Sequence, residues 1–165
     1  MQSETPQYPA FFESVAKGVH VVCFILFIGL MLSVLWQVIS RGVFLKPATF
    51  TEELARFIFI WLALIGAAAA YIDRAHLMVD YFVKKFSEAK QRVFRIFSLA
   101  IVVAFSFFVM VVGGIMLMLQ TLASSQLSPV LNLPMGWVYA CVPLAGIVIC
   151  VFASLNVMSE FKGSN

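Results

Sequence analysis

Asp73, His76 and Asp80 stand at i, i+3 and i+7, a spacing that puts two carboxylates and an imidazole on one face of a helix. The donor types suit a metal, but Arg74 and the basic residues beyond it, Lys84 and Lys85 among them, favour ion pairs and head-group contacts. His20 supplies the other imidazole of the chain, and His20 with His76 is the one pair that a haem could use as axial ligands. Further along, Thr49 and Glu52 have the spacing of a capping box, and Glu52 precedes Arg56 by four residues in the favourable acid-first order. Two readings of this cluster stand side by side: it caps a helix, or Glu52, Glu53 and Arg56, with Arg41 and Lys46 nearby, make polar contacts with another membrane subunit. Cys23, Cys141 and Cys150 are odd in number and lie inside apolar runs, which reads as buried small hydrophobes rather than disulfides or a thiolate metal site. There is no Ser and His nucleophile arrangement, no Gly-rich phosphate loop and no nucleotide motif. The expectation is a chain without catalytic residues, bound metal or cofactor of its own, and without nucleic acid as a partner.

The elements that carry these residues follow from composition. The chain has 165 residues, 62% of them hydrophobic and 12% charged, with a mean hydropathy of +1.00, well below the roughly one-quarter charged content of soluble domains. It reads as one all-α membrane domain over residues 1–165, a four-helix bundle with spans at about 18–40, 50–72, 96–122 and 135–157. The first run is longer than a signal-peptide core and is read as a retained span. Between Arg56 and Asp73 there is no charge, and a helix from about Thr49 to Ile72 covers roughly 35 Å, enough for a bilayer core of about 30 Å. The stretch Ala123 to Pro134, ASSQLSPVLNLP, divides the last two spans.

Charge sets the orientation. Lys17, Arg74, Lys84, Lys85, Lys90, Arg92, Arg95 and Lys162 fall on one side and Arg41, Lys46 and Arg56 on the other, eight against three, so both termini are expected in the cytoplasm. Trp137 and Tyr139 then anchor the outer interface and Tyr71 the inner one. Between spans two and three, Ala75, Val79, Phe82, Phe86, Ala89 and Val93 recur at spacings of four and three. That is an amphipathic cytoplasmic helix, either lying on the membrane surface or prolonging span three from about Ser87.

Within the spans, Ala63, Gly66, Ala67 and Ala70 form a small-residue face that lets helix backbones approach closely, inside this chain or against another subunit. Ser33, Gln37 and Arg41 make a polar line at steps of four, and Pro143 interrupts span four. No Asp, Glu, Lys, Arg or His lies near the middle of any span. Conduction of a charged solute normally needs such a group or paired broken helices, so the pattern suits holding better than conducting.

EELARF (Glu52 to Phe57), FIFIWLALIGAA (Phe57 to Ala68), RAHLMVD (Arg74 to Asp80) and LPMGWVYACVPLAG (Leu133 to Gly146) together resemble the small membrane subunit, DctQ-like, of tripartite ATP-independent periplasmic (TRAP) transporters. The resemblance covers roughly Gly18 to Val157. It implies a bacterial inner-membrane protein that stays with a large many-helix subunit, in which sodium coupling resides. A periplasmic binding protein would deliver an organic acid such as a C4-dicarboxylate or a sialic acid. The resemblance gives this chain a scaffolding part in uptake, with the outer cluster as a docking rim. The alternative from another class is a haem-binding anchor of a quinone-linked oxidoreductase, through His20 and His76.

Overall fold

A computed structural model describes residues 10–43, 49–74 and 88–162. Six α-helices and one π-helical segment account for most of them: α1 Ala10–Val43, α2 Thr49–Arg74, α3 Glu88–Phe105, the π segment Ser106–Gly113, α4 Gly114–Ala123, α5 Met135–Tyr139 and α6 Cys141–Lys162. Four stretches are long and apolar enough to cross a membrane: Phe12–Gly42, Thr49–Asp73, Ile96–Ala123 and Met135–Val157. The spans expected from sequence fall within these limits to a residue or two, except that α1 starts earlier. Its 34 residues make about 51 Å of helix, well beyond a bilayer core of about 30 Å.

The spans pack as an open row rather than a closed ring. α1 lies along α2; α2 also packs on α6; and α6 packs on α3, the π segment and α4. Near its start α1 also reaches α6, where the Phe12 ring meets Phe152 edge to face at 6.1 Å. The core sits between α2 and α6, around Ala68, Ala145 and Ile149, with Leu64, Tyr71, Val102, Met110 and Val148 packed against it. On α6 the buried residues Cys141, Ala145, Ile149, Phe152 and Asn156 recur at steps of four and three, one stripe of a helix. Over an 18-residue apolar stretch span four has 39% of its residues inside the protein against 6% for span one, so span one offers most of its surface to lipid or to a partner. Its exposed Phe24, Ile25, Leu32 and Trp36 need an apolar medium around them.

Two interruptions shape spans three and four. Pro143 lacks the N–H that would bond the Tyr139 carbonyl, and its ring crowds that carbonyl. The helix accordingly breaks at Ala140, whose N–H bonds Trp137 O at 3.3 Å before α6 resumes. In span three, one wider π turn brings Met110 and Gly114 against α6. A Cβ on Gly146 would stand 2.6 Å from Met110 Cβ, and one on Gly114 would stand 2.9 Å from Pro143 Cδ. These helices pack at backbone distance, as small residues permit in membranes.

Glu88 begins α3 without a break into span three, so the prolongation expected from about Ser87 is the arrangement found for Glu88 onward. The rest of the amphipathic stretch, 75–87, lies outside the described residues. Among the described residues there is no strand, only an isolated bridge between Leu127 and Pro134. That bridge closes the short loop joining α4 to α5, with Ser128 N–H donating to Leu133 O at 2.9 Å and Met135 N–H to Gln126 O at 2.9 Å. Ser125 and Asn132 take positive φ, 49° and 51°, turn conformations that polar residues of this kind tolerate. All three cysteines are free, and Cys141 is fully buried.

Candidate functional site

The polar residues singled out in sequence gather at the two ends of α2, and helical geometry divides them. Neighbours on a helix point about 100° apart, so Glu52 and Glu53 cannot share a direction. Glu52 faces out and meets Arg56 at 3.9 Å, with both side chains more than half exposed. Glu53 faces in. It is only 8% exposed, and its Oε2 accepts the Val130 N–H at 3.0 Å and the Leu131 N–H at 2.8 Å. The carboxylate thus ties the start of span two to the loop between spans three and four. Arg41 is exposed at the end of α1, and Lys46 lies outside the described residues.

Span one is pinned to span two at both ends. Where α2 starts, Gln37 Nε2 donates to Thr51 O at 2.9 Å. At the other end, where α2 finishes, His20 Nε2 lies 3.0 Å from Asp73 Oδ2, while Nδ1 lies 2.7 Å from Ala16 O. Two acceptors facing two ring nitrogens suit an imidazole that donates from both, and neither nitrogen is open as a ligand. Asp73 is therefore paired across to span one. Arg74 ends α2, and His76, Asp80, Lys84 and Lys85 lie outside the described residues. Among the described residues no three His, Cys, Asp or Glu side chains converge as a metal site would require.

The pins differ in expected strength. Gln37→Leu should lower the stability of the purified chain by about 1 kcal/mol, the net value of one intramolecular hydrogen bond. His20→Ala or Asp73→Asn should cost less than about 1 kcal/mol, because their bond is solvent-exposed. Thermal melts of the three variants in one detergent test this order.

The small residues of α2 divide in the same way. Ala68 and Ala69 are buried in the core, whereas Ala63, Ala67 and Ala70 are exposed and Gly66 is half-buried. A Cβ on Gly66 would meet nothing within 4 Å. The face predicted from spacing is therefore real as a face but turned away from this chain's own core. With Glu52 and Arg56 above it, it forms one outward strip, flanked by α1 on one side and α6 on the other. The strip has no nucleophile and no acid–base pair. What it can do is receive another helix.

Helices of this length and apolarity, lacking charge at their centres, define a multi-pass membrane protein. Residues 30–163 match the family model described as "Tripartite ATP-independent periplasmic transporters, DctQ component". The chain is 24% identical over 143 residues to a putative TRAP transporter small permease protein of Haemophilus influenzae, covering 87% of each chain. It is 30% identical over 110 residues to the C4-dicarboxylate TRAP transporter small permease protein DctQ of Rhodobacter capsulatus, 67% of this chain and 48% of that one. It is also 26% identical over 124 residues to the sialic acid TRAP transporter permease protein SiaT of Haemophilus influenzae, 75% of this chain but 20% of that one. The chain belongs to the DctQ family of TRAP small permease subunits, which are transporter components and not enzymes.

Sequence reasoning grouped Glu53 with Glu52 and missed the loop it holds. It also missed the His20 to Asp73 pairing. The signal available for the first was the run Ser128 to Asn132, whose turn residues leave backbone N–H groups in need of acceptors.

Proposed function

We propose that this chain is the stationary scaffold of a sodium-coupled, binding-protein-dependent transporter for organic acids. It holds a large many-helix permease subunit against the outward strip of α2. Both termini lie in the cytoplasm, and the Glu52 and Arg56 rim on the periplasmic side helps receive the substrate-binding protein. Sodium coupling and substrate choice reside in the other subunits, and the substrate is an organic acid of the C4-dicarboxylate or sialic acid kind.

The observation that carries this reading is that α2 packs its Ala68 side into the core yet leaves Ala63, Ala67 and Ala70 uncovered. Lipid gives no drive to cover such a strip, whereas a second helix gains dispersion contacts from the close approach. The match to one-fifth of a much longer sialic acid permease supports a neighbour of that size. In cells making all subunits, Ala67→Trp is expected to reduce the permease that copurifies with this chain by about tenfold, equivalent to about 1.4 kcal/mol. The melting of the chain alone should stay within about 0.5 kcal/mol of wild type, as for surface substitutions. Charge reversal at Glu52 and Arg56 should weaken binding-protein-dependent uptake. Normal copurification with Ala67→Trp and Ala63→Trp would remove the strip from the interface.

A further inference from the structure

The loop between α4 and α5 keeps its backbone to itself. Leaving Leu127 aside, every N–H from Ser124 to Met135 donates to an acceptor within the protein, and Pro129 and Pro134 have none to place. A loop bathed in water can leave such groups to solvent. Satisfying them internally is what a medium poor in water demands of irregular backbone. The side chains agree, because no Lys, Arg, Asp, Glu or His occurs from Ile96 to Ser159, while Leu127, Val130 and Leu133 are exposed, as is Trp137 just beyond them.

Glu53 fixes the depth of the loop. From Glu53 to Asp73, the polar residues near the two ends of α2, the helix rises about 30 Å, which is the thickness of a bilayer core. Arg56 lies about one turn inside that limit and reaches back to Glu52 at 3.9 Å, as a long cation near a membrane boundary does. The Glu53 carboxylate holds the Val130 and Leu131 N–H groups at 3.0 and 2.8 Å. The loop tip therefore stands where hydrocarbon gives way to head groups, and it does not project into the aqueous phase.

Ser125, Gln126 and Asn132 are exposed among these apolar residues. Hydrocarbon alone would strand the polar side chains, and water alone would strand the leucines; the boundary layer offers both media and is where tryptophan collects. We propose that this loop lies in the lipid head-group layer, with Leu127, Val130 and Leu133 reaching the acyl boundary, and so seats spans three and four at a fixed depth. Its exposed apolar side chains are bulky, whereas close approach of a partner helix uses small residues. An uncharged loop also gives a water-soluble partner no field to be steered by. The inference needs only the membrane-spanning fold, and holds whichever side of the membrane this end faces.

The test places a nitroxide at Val130→Cys or Leu133→Cys in the full chain, with Cys23→Ala and Cys150→Ala removing the other accessible thiols and the fully buried Cys141 left in place. In nanodiscs, power saturation reads collisions with oxygen, which concentrates in lipid, and with a water-soluble nickel chelate. Oxygen collisions should exceed chelate collisions severalfold at both positions, as at Ile101→Cys, an exposed position within span three. Leu127→Cys replaces either variant if it melts below wild type. The same preference should survive assembly with the companion subunits. Chelate collisions that exceed those of oxygen would put the loop in water and overturn the proposal. A joint fall of both rates on assembly would overturn it as well, by giving the loop a protein cover.

Discussion

Glu53→Ala is expected to destabilise the purified protein by about 2–3 kcal/mol. The wild-type carboxylate accepts two backbone N–H groups from the loop between α4 and α5, and hydrogen bonds to a charged group are worth about 1.5–3 kcal/mol each. Val130 is itself exposed, so water recovers part of that loss, and the expected total lies below the full sum. Both bonds fall on one oxygen, so Glu53→Gln can keep them through its carbonyl and loses only the charge on the acceptor, and an intermediate loss is expected. The neighbouring Glu52→Ala removes only an exposed ion pair and should change stability by less than about 1 kcal/mol. Thermal melting in detergent, with protease cleavage near Val130 as a local probe, gives the order Glu53→Ala, Glu53→Gln, Glu52→Ala. A Glu53→Ala protein that melts like wild type would show that the loop does not depend on this carboxylate.

Gly146→Ala and Gly114→Ala should each cost about 1–3 kcal/mol, the range for overpacking a well-packed contact. At Gly146 the new methyl would lie 2.6 Å from Met110 Cβ and 3.2 Å from the Met110 carbonyl carbon. Both atoms are fixed to the backbone, so the π segment itself has to move. At Gly114 the obstacle is the Pro143 ring, with Cδ at 2.9 Å and N at 3.0 Å, and a proline ring has no rotamer by which to yield. Gly66→Ala is the control, because nothing stands within 4 Å and alanine is the better helix former by up to about 1 kcal/mol. The isolated chain should therefore tolerate or gain from Gly66→Ala while it loses from the other two. Equal melting of all three variants would mean that spans three and four are not in backbone contact.

The spans themselves were legible because each is an uninterrupted apolar run of membrane length, bounded by Arg56 and Asp73 in span two and by ASSQLSPVLNLP before span four. The break beneath Pro143 was legible for the same kind of local reason, a missing N–H. What was not legible depends on distant partners. Glu52 and Glu53 are adjacent carboxylates, and the loop that buries Glu53 lies 77 residues downstream, out of reach of any local pattern. Asp73 is paired with a residue 53 positions upstream, a distance across which spacing carries no signal. In Gly66 to Ala70 every position is small, so spacing revealed a face without showing which side of the helix would meet the core. The π segment left no mark either, because SFFVMVVG is apolar almost all round and gives no register against which an extra residue would show.

The scaffold account is tested most directly by tagging the carboxyl terminus of this chain, expressing it with its companion subunits, and extracting the membranes in mild detergent. The account predicts that a larger, many-helix permease copurifies with wild type and is lost, together with uptake, when Ala63 and Ala67 are both replaced by tryptophan. Wild-type chain that elutes without such a partner, or a double variant that retains it and supports full uptake, would contradict the claim that the outward strip of α2 holds the transporter together.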